Sequence, residues 1–269
     1  MTSTLTFKFK MKLDMPLEVE SICPNVLAGK NIEDIKKLSA YEGNAQHTIG
    51  DAFDISGDVA SEPSDMKIVI KDSSTYLKRI GENMTAGEIE IHGDVGMHLG
   101  DFMKGGKILV HGNVDKYCAS QMEGGEIHIE GDAGDYLCAA YRGNWRGMKG
   151  GKVIVNGNAG FEIAAWLRGT KATRAKGEPL VHVKGNVGLH AGHHNHGGFL
   201  VVEGDSEGRL GSEMGRGDIV LLGKTDMLST FLKDDGEVAE IAEIGMKGPF
   251  ISYSGDQAIG GKGKIYVKK

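Results

Sequence analysis

The chain has 269 residues and a formal net charge of −6. That length suits one large domain or two ordinary ones. The acidic balance, without a basic tail, argues against a nucleic-acid partner, and no apolar run is long enough for a membrane-spanning helix.

In chain order, the N-terminal stretch MTSTLTFKFKMKLDMPLEVE alternates and has no apolar signal core, so a cytoplasmic location is expected. Residues 5–20 read as one or two strands. NIEDIKKLS (31–39) reads as a short helix, with Asn31 as its cap and Glu33 and Asp34 in its first turn. FDISGDV (53–59) and MKIVIKDS (66–73) read as irregular first coils of the repeat that follows. Glycine is the outlier, with 42 residues against 5 prolines. There is no G-X-Y register, and the glycines separate clean β patterns, which is the composition of a repeat protein.

A Gly-[Asp/Asn] or related glycine follows each short Ile/Val run, at Gly93, Gly112, Gly131, Gly157, Gly185, Gly204 and Gly223. The spacings are 19, 19, 26, 28, 19 and 19 residues. The two long units are the basic unit with seven and nine residues added. GEIEIHGD, GKILVHGN, GEIHIEGD, GKVIVNGN, EPLVHVKGN and GFLVVEGD each alternate with period two. Ile89 and Ile91 face one side; Glu90 and His128 belong to the other. Ten residues after the anchors come Met103, Met122, Tyr141, Leu167 and Met214, with Asn195 breaking the row. One strand per short unit predicts a single coil of a parallel β-helix. Glycines serve its corners, and the anchor Asp or Asn caps turn N–H groups. A meander of hairpins is disfavoured because strict two-residue turns are absent. The expected organisation is N-terminal strands and a capping helix over 1–50, a parallel β-helix of about eight coils over 51–225, and a C-terminal cap and return segment over 226–269. In that last part MLSTFLKDD (227–235) reads as a helix. EVAEIAEIGMKGPFISYSGD and GKIYVKK are expected to return along the outside or seal the far end.

Insertions in repeats collect on one face and often carry the binding surface. The first holds Arg142, Trp145 and Arg146; the second region holds Trp166, Arg168, Lys171, Arg174 and Lys176. Trp and Arg are favoured at protein interfaces, so a partner surface is the expected reading. An anionic ligand and plain solvated loops are the weaker alternatives.

The run from His190 through His193, His194 and His196 invites a metal reading. Its register counters this. The histidines occupy the corner of an ordinary 19-residue unit, and their spacing matches neither HExxH nor a Cys/His finger. Interface or turn hydrogen bonds are expected instead. No catalytic, cofactor or metal residue is assigned. There is no P-loop, no GxSxG and no GxGxxG before a helix. Glu88 and Glu126 alternate with Lys107 and Lys152 at matching places, as a solvated face would. Cys23, Cys118 and Cys138 form no CxxC pair, which leaves little means of holding an iron–sulfur cluster. Cys118 and Cys138 are expected in apolar positions.

GDVGMHLGDFMKGGKILVHGN, GDYLCAAYRGNWRGMKGGKVIVNGNAG and GLHAGHHNHGGFLVVEGD resemble the C subunit of formylmethanofuran dehydrogenase, of the tungsten or molybdenum type, over nearly the whole chain. The glycine pattern is similar, more distantly, to the C-terminal β-helix domain of the glutamate synthase large subunit. The resemblance implies an all-β, right-handed, single-stranded parallel β-helix with small α/β capping regions. It implies a non-catalytic scaffold in an oxidoreductase complex that reduces CO2 with ferredoxin electrons and forms N-formylmethanofuran in the first step of methanogenesis. The implied partners are a redox subunit with a tungsten or molybdenum bis-pterin, an amidohydrolase-like subunit with a metal-dependent hydrolase centre, and ferredoxin-like subunits with 4Fe-4S clusters. Methanofuran is the implied substrate of the complex. The alternative is the C subunit of the methylotroph formyltransferase/hydrolase complex, which acts without CO2 reduction. No catalytic residue carries over to this chain.

Overall fold

The computed structural model describes residues 2–169, 179–225, 228 and 231–269. The Ile/Val runs form short strands, and each hydrogen-bonds in parallel to the same run of the next unit. From Met66–Ser73 through Glu88–Gly93, Lys107–Val110, Glu126–Ile129, Lys152–Val155, Leu180–Val183 and His196–Val202 to Arg216–Leu221, the strands stack in chain order. The protein is a parallel β-helix, and the hairpin alternative fails on this parallel pairing.

The register holds to the residue in the middle coils. Ile89, Ile108, Ile127, Val153, Val181, Leu200 and Ile219 form one continuous row of Cα partners. All are at most 2% exposed. The β-branched side chains suit the pleated surface, and each contributes about 1.5–3 kcal/mol through burial. A one-residue slip would turn the whole row to solvent, so the pattern fixes the register.

A second ladder runs through Val95, Val114, Ala133, Ala159, Val187, Ser206 and Thr225 as isolated parallel bridges. Between the two ladders lies the Gly-[Asp/Asn] corner. Its side chains cap backbone N–H groups, but those of the next coil rather than of their own turn. Asp94 Oδ1 accepts from Asn113 N at 2.8 Å, Asn113 Oδ1 from Asp132 N at 2.8 Å, and Asp132 Oδ1 from Asn158 N at 2.7 Å. The series continues through Asn158, Asn186 and Asp205 to the N–H of Lys224. Glycine is needed beside it for space. A Cβ on Gly131 would lie 2.3 Å from Asn113 Oδ1 and 2.7 Å from the Gly112 carbonyl oxygen.

The third corner has an alternating backbone. His98, Gly100 and Phe102 have φ of +69°, +65° and +56°, while the residues between them turn inward. His98 N–H donates to the Lys116 carbonyl of the next coil, and Gly100 N–H to the Ile80 carbonyl of the previous one. Leu99, Asp101 and Met103 are fully buried. His98 therefore belongs to an outer row that recurs at Tyr117, Tyr136, Glu162 and His190, and Phe102 to one that recurs at Gln121, Trp166, His194 and Glu213, all with positive φ.

Both ends are closed. At the N-terminus, Ser3–Phe9 pairs in parallel with Met66–Ser73 and antiparallel with Phe53–Gly57. FDISGDV is thus an antiparallel outer strand, not a first coil: it folds back on Ser3–Phe9. The predicted helix forms over Ile32–Lys36, and Asn31 accepts from Asp34 N–H as its cap. Its Ile35 joins Leu5, Phe7, Ile49 and Phe53 in the main core.

At the other end, Gly263–Lys268 adds a parallel strand to Arg216–Leu221. Met246–Gly255 and Lys233–Ile241 then continue the sheet antiparallel. Lys233–Asp235 are strand residues, which overturns the helix expected over 227–235 for its described part. Charged residues on an edge strand explain the misreading: Lys233, Asp234 and Asp235 are exposed, and carry no apolar period. Ile241 and Phe250 pack on Val201 and Val220 from outside the sheet, forming a second, smaller core. The C-terminal segment therefore both seals the end and returns along the outside.

Candidate partner-binding face

One correction to the repeat locates the first insertion. Met148, not Tyr141, fills the row of Met84, Met103 and Met122, and all four are fully buried. Lys149 N–H donates to the Met122 carbonyl just as Glu123 N–H donates to that of Met103. The seven added residues are therefore 141–147, and they leave the coil at the alternating corner. Counting forward from the anchor puts Tyr141 in the core only because the insertion lies before the methionine.

Tyr141 turns outward along the corner instead. Its hydroxyl donates to Asp101 Oδ2, and His98 Nδ1 lies 3.0 Å from the same oxygen. Ser120 N–H donates to the other carboxylate oxygen at 3.1 Å. Burial pushes the Asp101 carboxyl above its ordinary range and the Tyr141 hydroxyl well up, so the latter stays a donor. This buried knot fixes the start of the insertion.

The corner's outer row is aromatic. His98 stacks on Tyr117 at 5.6 Å between ring centroids, and Tyr117 on Tyr136 at 4.7 Å. Phe161 meets Tyr136 edge-on at 5.8 Å and His190 at 5.8 Å. Parallel coils bring equal positions to one stacking distance, so the alignment of units contains His98, Tyr117, Tyr136 and His190, while Phe161 stands one residue before the shared offset, which Glu162 holds. Tyr117 and Tyr136 share one offset from their anchors, and that shared offset is the signal from which the stack could have been found.

The insertion lays cations over that row. Arg142 Nη2 donates to the Tyr136 hydroxyl at 2.8 Å. Asn144 binds Gln121 at 2.7 Å, and Gly147 N–H reaches the Trp166 carbonyl at 2.9 Å. Two guanidinium groups lie over the Trp145 ring, Arg146 at 4.3 Å and Arg168 at 4.4 Å from its centroid. Such contacts are worth about 0.5–1 kcal/mol each when exposed. Trp145 remains 46% exposed. Among the described residues no carboxylate pairs with Arg142, Arg146 or Arg168. Lys171, Arg174 and Lys176 of the second insertion lie outside the described residues.

The histidines extend the same face. His194 stacks on Trp166 at 4.0 Å, and His196 lies 5.8 Å from that ring. His193 Nδ1 donates to the Ser212 carbonyl at 3.1 Å. Burial holds His190, His194 and His196 below the ordinary imidazole pKa, so the rings are neutral near pH 7. The structure thus brings Arg142, Trp145, Arg146, Trp166, Arg168, His193, His194 and His196 onto one corner. Among the described residues, two sets of side chains have donor atoms spaced for a shared ion: Glu90, His92 and His111, and His193, His194 and Glu213. The three cysteines are free and buried. Burial pushes Cys23 up to about 11 and the other two thiols higher, so none is a thiolate nucleophile.

These features define a class first: a parallel β-helix whose surface chemistry gathers on one inserted corner. No protein-family model matches the chain. It is 43% identical to the C subunit of the tungsten-containing formylmethanofuran dehydrogenase 2 of Methanococcus maripaludis, over 98% of this chain and 96% of that one. The C subunit of the molybdenum-containing formylmethanofuran dehydrogenase 1 of Methanosarcina barkeri is 40% identical over 90 residues, 34% of this chain and 30% of that one. A solved structure of the formyltransferase/hydrolase complex from Methylorubrum extorquens, in complex with methylofuran, contains a chain that superposes with a TM-score of 0.81 and 26% identity. The match covers 98% of this chain and 99% of that chain. The chain belongs to the family of formylmethanofuran dehydrogenase C subunits. No helix among its described residues is long and apolar enough to cross a membrane.

Proposed function

We propose that this chain is a non-catalytic scaffold subunit of a formylmethanofuran dehydrogenase. That complex would reduce CO2 with ferredoxin electrons and form N-formylmethanofuran. The observation that carries the reading is the 43% identity along nearly the full length of both chains. The redox centres would belong to partners. A pterin-bound metal or an iron–sulfur cluster does not suit this chain's cysteines, which are buried and protonated. The inserted corner supplies the contact surface. Trp145 with its flanking guanidinium groups offers a flat apolar anchor and bidentate donors for a partner's carboxylates.

A second reading has its own support. The match to a chain of a formyltransferase/hydrolase complex spans both chains almost entirely, and a C subunit of that assembly would hold formyl-transfer chemistry without CO2 reduction. One experiment separates the two. The chain is purified from its native host with its partners, and tungsten, molybdenum and iron are measured in the assembly. Stoichiometric tungsten or molybdenum with iron is expected. An assembly free of all three would favour the second reading, and CO2 reduction by the isolated chain would sink both.

A further inference from the structure

Among the described residues, two trios each hold their donor atoms within 4.8 Å of one another, and the trios differ in what already occupies them. On the outer sheet face, His111 Nδ1 is 3.0 Å from Glu130 and Nε2 is 3.0 Å from Glu90. These two carboxylates raise the pKa of the ring. Glu90 also pairs with Lys67 at 2.6 Å. An imidazole that donates from both nitrogens has no lone pair for a metal. A proton and an ammonium already neutralise this trio.

The corner trio is in the opposite condition. The Ser212 carbonyl can only accept, so His193 Nδ1, 3.1 Å away, carries the hydrogen. Nε2 then keeps the lone pair. A backbone carbonyl holding the far nitrogen is the usual support of a metal-binding histidine. Trp166, stacked at 4.0 Å, sets the plane of the His194 ring. Glu213 comes from the next coil at the same corner position as His194. Its own N–H is held by Asp256 at 3.0 Å. His194 Nε2 and Glu213 Oε2 are 3.5 Å apart, close as an ion pair but outside the hydrogen-bond contacts. Two ligand atoms about 2.0–2.1 Å from one tetrahedral ion stand roughly 3.3–3.4 Å from each other. The gap therefore matches a shared ion better than a direct bond. Next to the trio, His190 keeps a buried Nδ1 with no hydrogen-bond partner, its ring 5.6 Å from that of His193.

We propose that His193, His194 and Glu213 form a binding site for one divalent transition-metal ion of the zinc class. Two imidazoles and one carboxylate with a further position open are a donor set such ions take. Half of the Glu213 side chain is solvent-accessible, which provides the entry path. The site is independent of the scaffold reading, because it uses only this chain's residues.

The test uses the purified full-length chain, stripped with a chelator and titrated with zinc(II) alone by calorimetry, with cobalt(II) absorption as a second readout of tetrahedral nitrogen and oxygen ligation. About one equivalent per chain is expected. Glu213→Gln and His194→Phe should each weaken binding at least about tenfold, while His111→Gln leaves it unchanged. Glu213→Gln keeps the backbone bond to Asp256, so an unchanged melting temperature will show that the fold is retained. No saturable binding, binding unaltered in Glu213→Gln, or loss only in His111→Gln would each overturn the proposal.

Discussion

The two kinds of corner in this β-helix carry opposite information. At the Gly-[Asp/Asn] corner every coil is alike: a side-chain oxygen accepts the next coil's N–H at 2.7–2.8 Å from Asp94 through Asp205. At the alternating corner the backbone recurs but the outer residues do not. His98, Tyr117, Tyr136, Glu162 and His190 occupy one position, and residues 141–147 are added here. Recurrence marks the bonds that hold coils together. Departure from the repeat, on a backbone that still repeats, marks the surface proposed to meet a partner.

The largest test of that contrast concerns the row that the insertion interrupts. Met148→Ala should cost about 2–5 kcal/mol in urea unfolding, as for any fully buried methionine. Tyr141→Phe should cost about 1–3 kcal/mol by removing the donor to buried Asp101. An unchanged midpoint for Met148→Ala would place the insertion elsewhere. At the recurrent corner, Asp132→Ala removes the acceptor of Asn158 N–H and should cost about 1 kcal/mol, while leaving any partner contact intact.

The smallest effect is a pH dependence. His190, His194 and His196 have folded-state pKa values below the ordinary 6.5. A group with a depressed folded pKa contributes stability that is full above its unfolded pKa and is lost as pH falls through the folded value. The melting temperature of the metal-free chain should thus drop from about pH 7 to about pH 5, less steeply in His194→Phe. Equal slopes in the two proteins would contradict the burial of His194 as the cause.

Much of this architecture is legible in the sequence. The period-two runs and their even spacing dictate the parallel stack, because a strand pattern that repeats at one interval can bury its apolar face only against its neighbours. Asn31 announces its helix by a local bond to Asp34. What escapes the sequence is non-local. The antiparallel course of Phe53–Gly57 depends on its pairing with Ser3–Phe9. Lys233–Asp235 lie in an edge strand whose pairing with Met246–Gly255 gives no apolar period. Tyr141 and Met148 can be distinguished only by aligning the coil from its downstream glycines as well as its upstream anchor. The site is legible in part. The insertions point to Arg142, Trp145 and Arg168, but the aromatic stack and Glu213 facing His194 emerge only when equal offsets are read vertically, coil over coil.

A paired charge reversal decides whether the inserted corner holds this chain to its partners. Arg142→Glu with Arg168→Glu is introduced into the full complex, and co-purification of the partner subunits is measured beside the melting temperature of the variant chain. A partner-binding corner requires a chain that still folds, with its melting temperature nearly unchanged, and partners that no longer co-purify. Full co-purification at wild-type stoichiometry, with the variant folded, would rule that corner out as the contact surface.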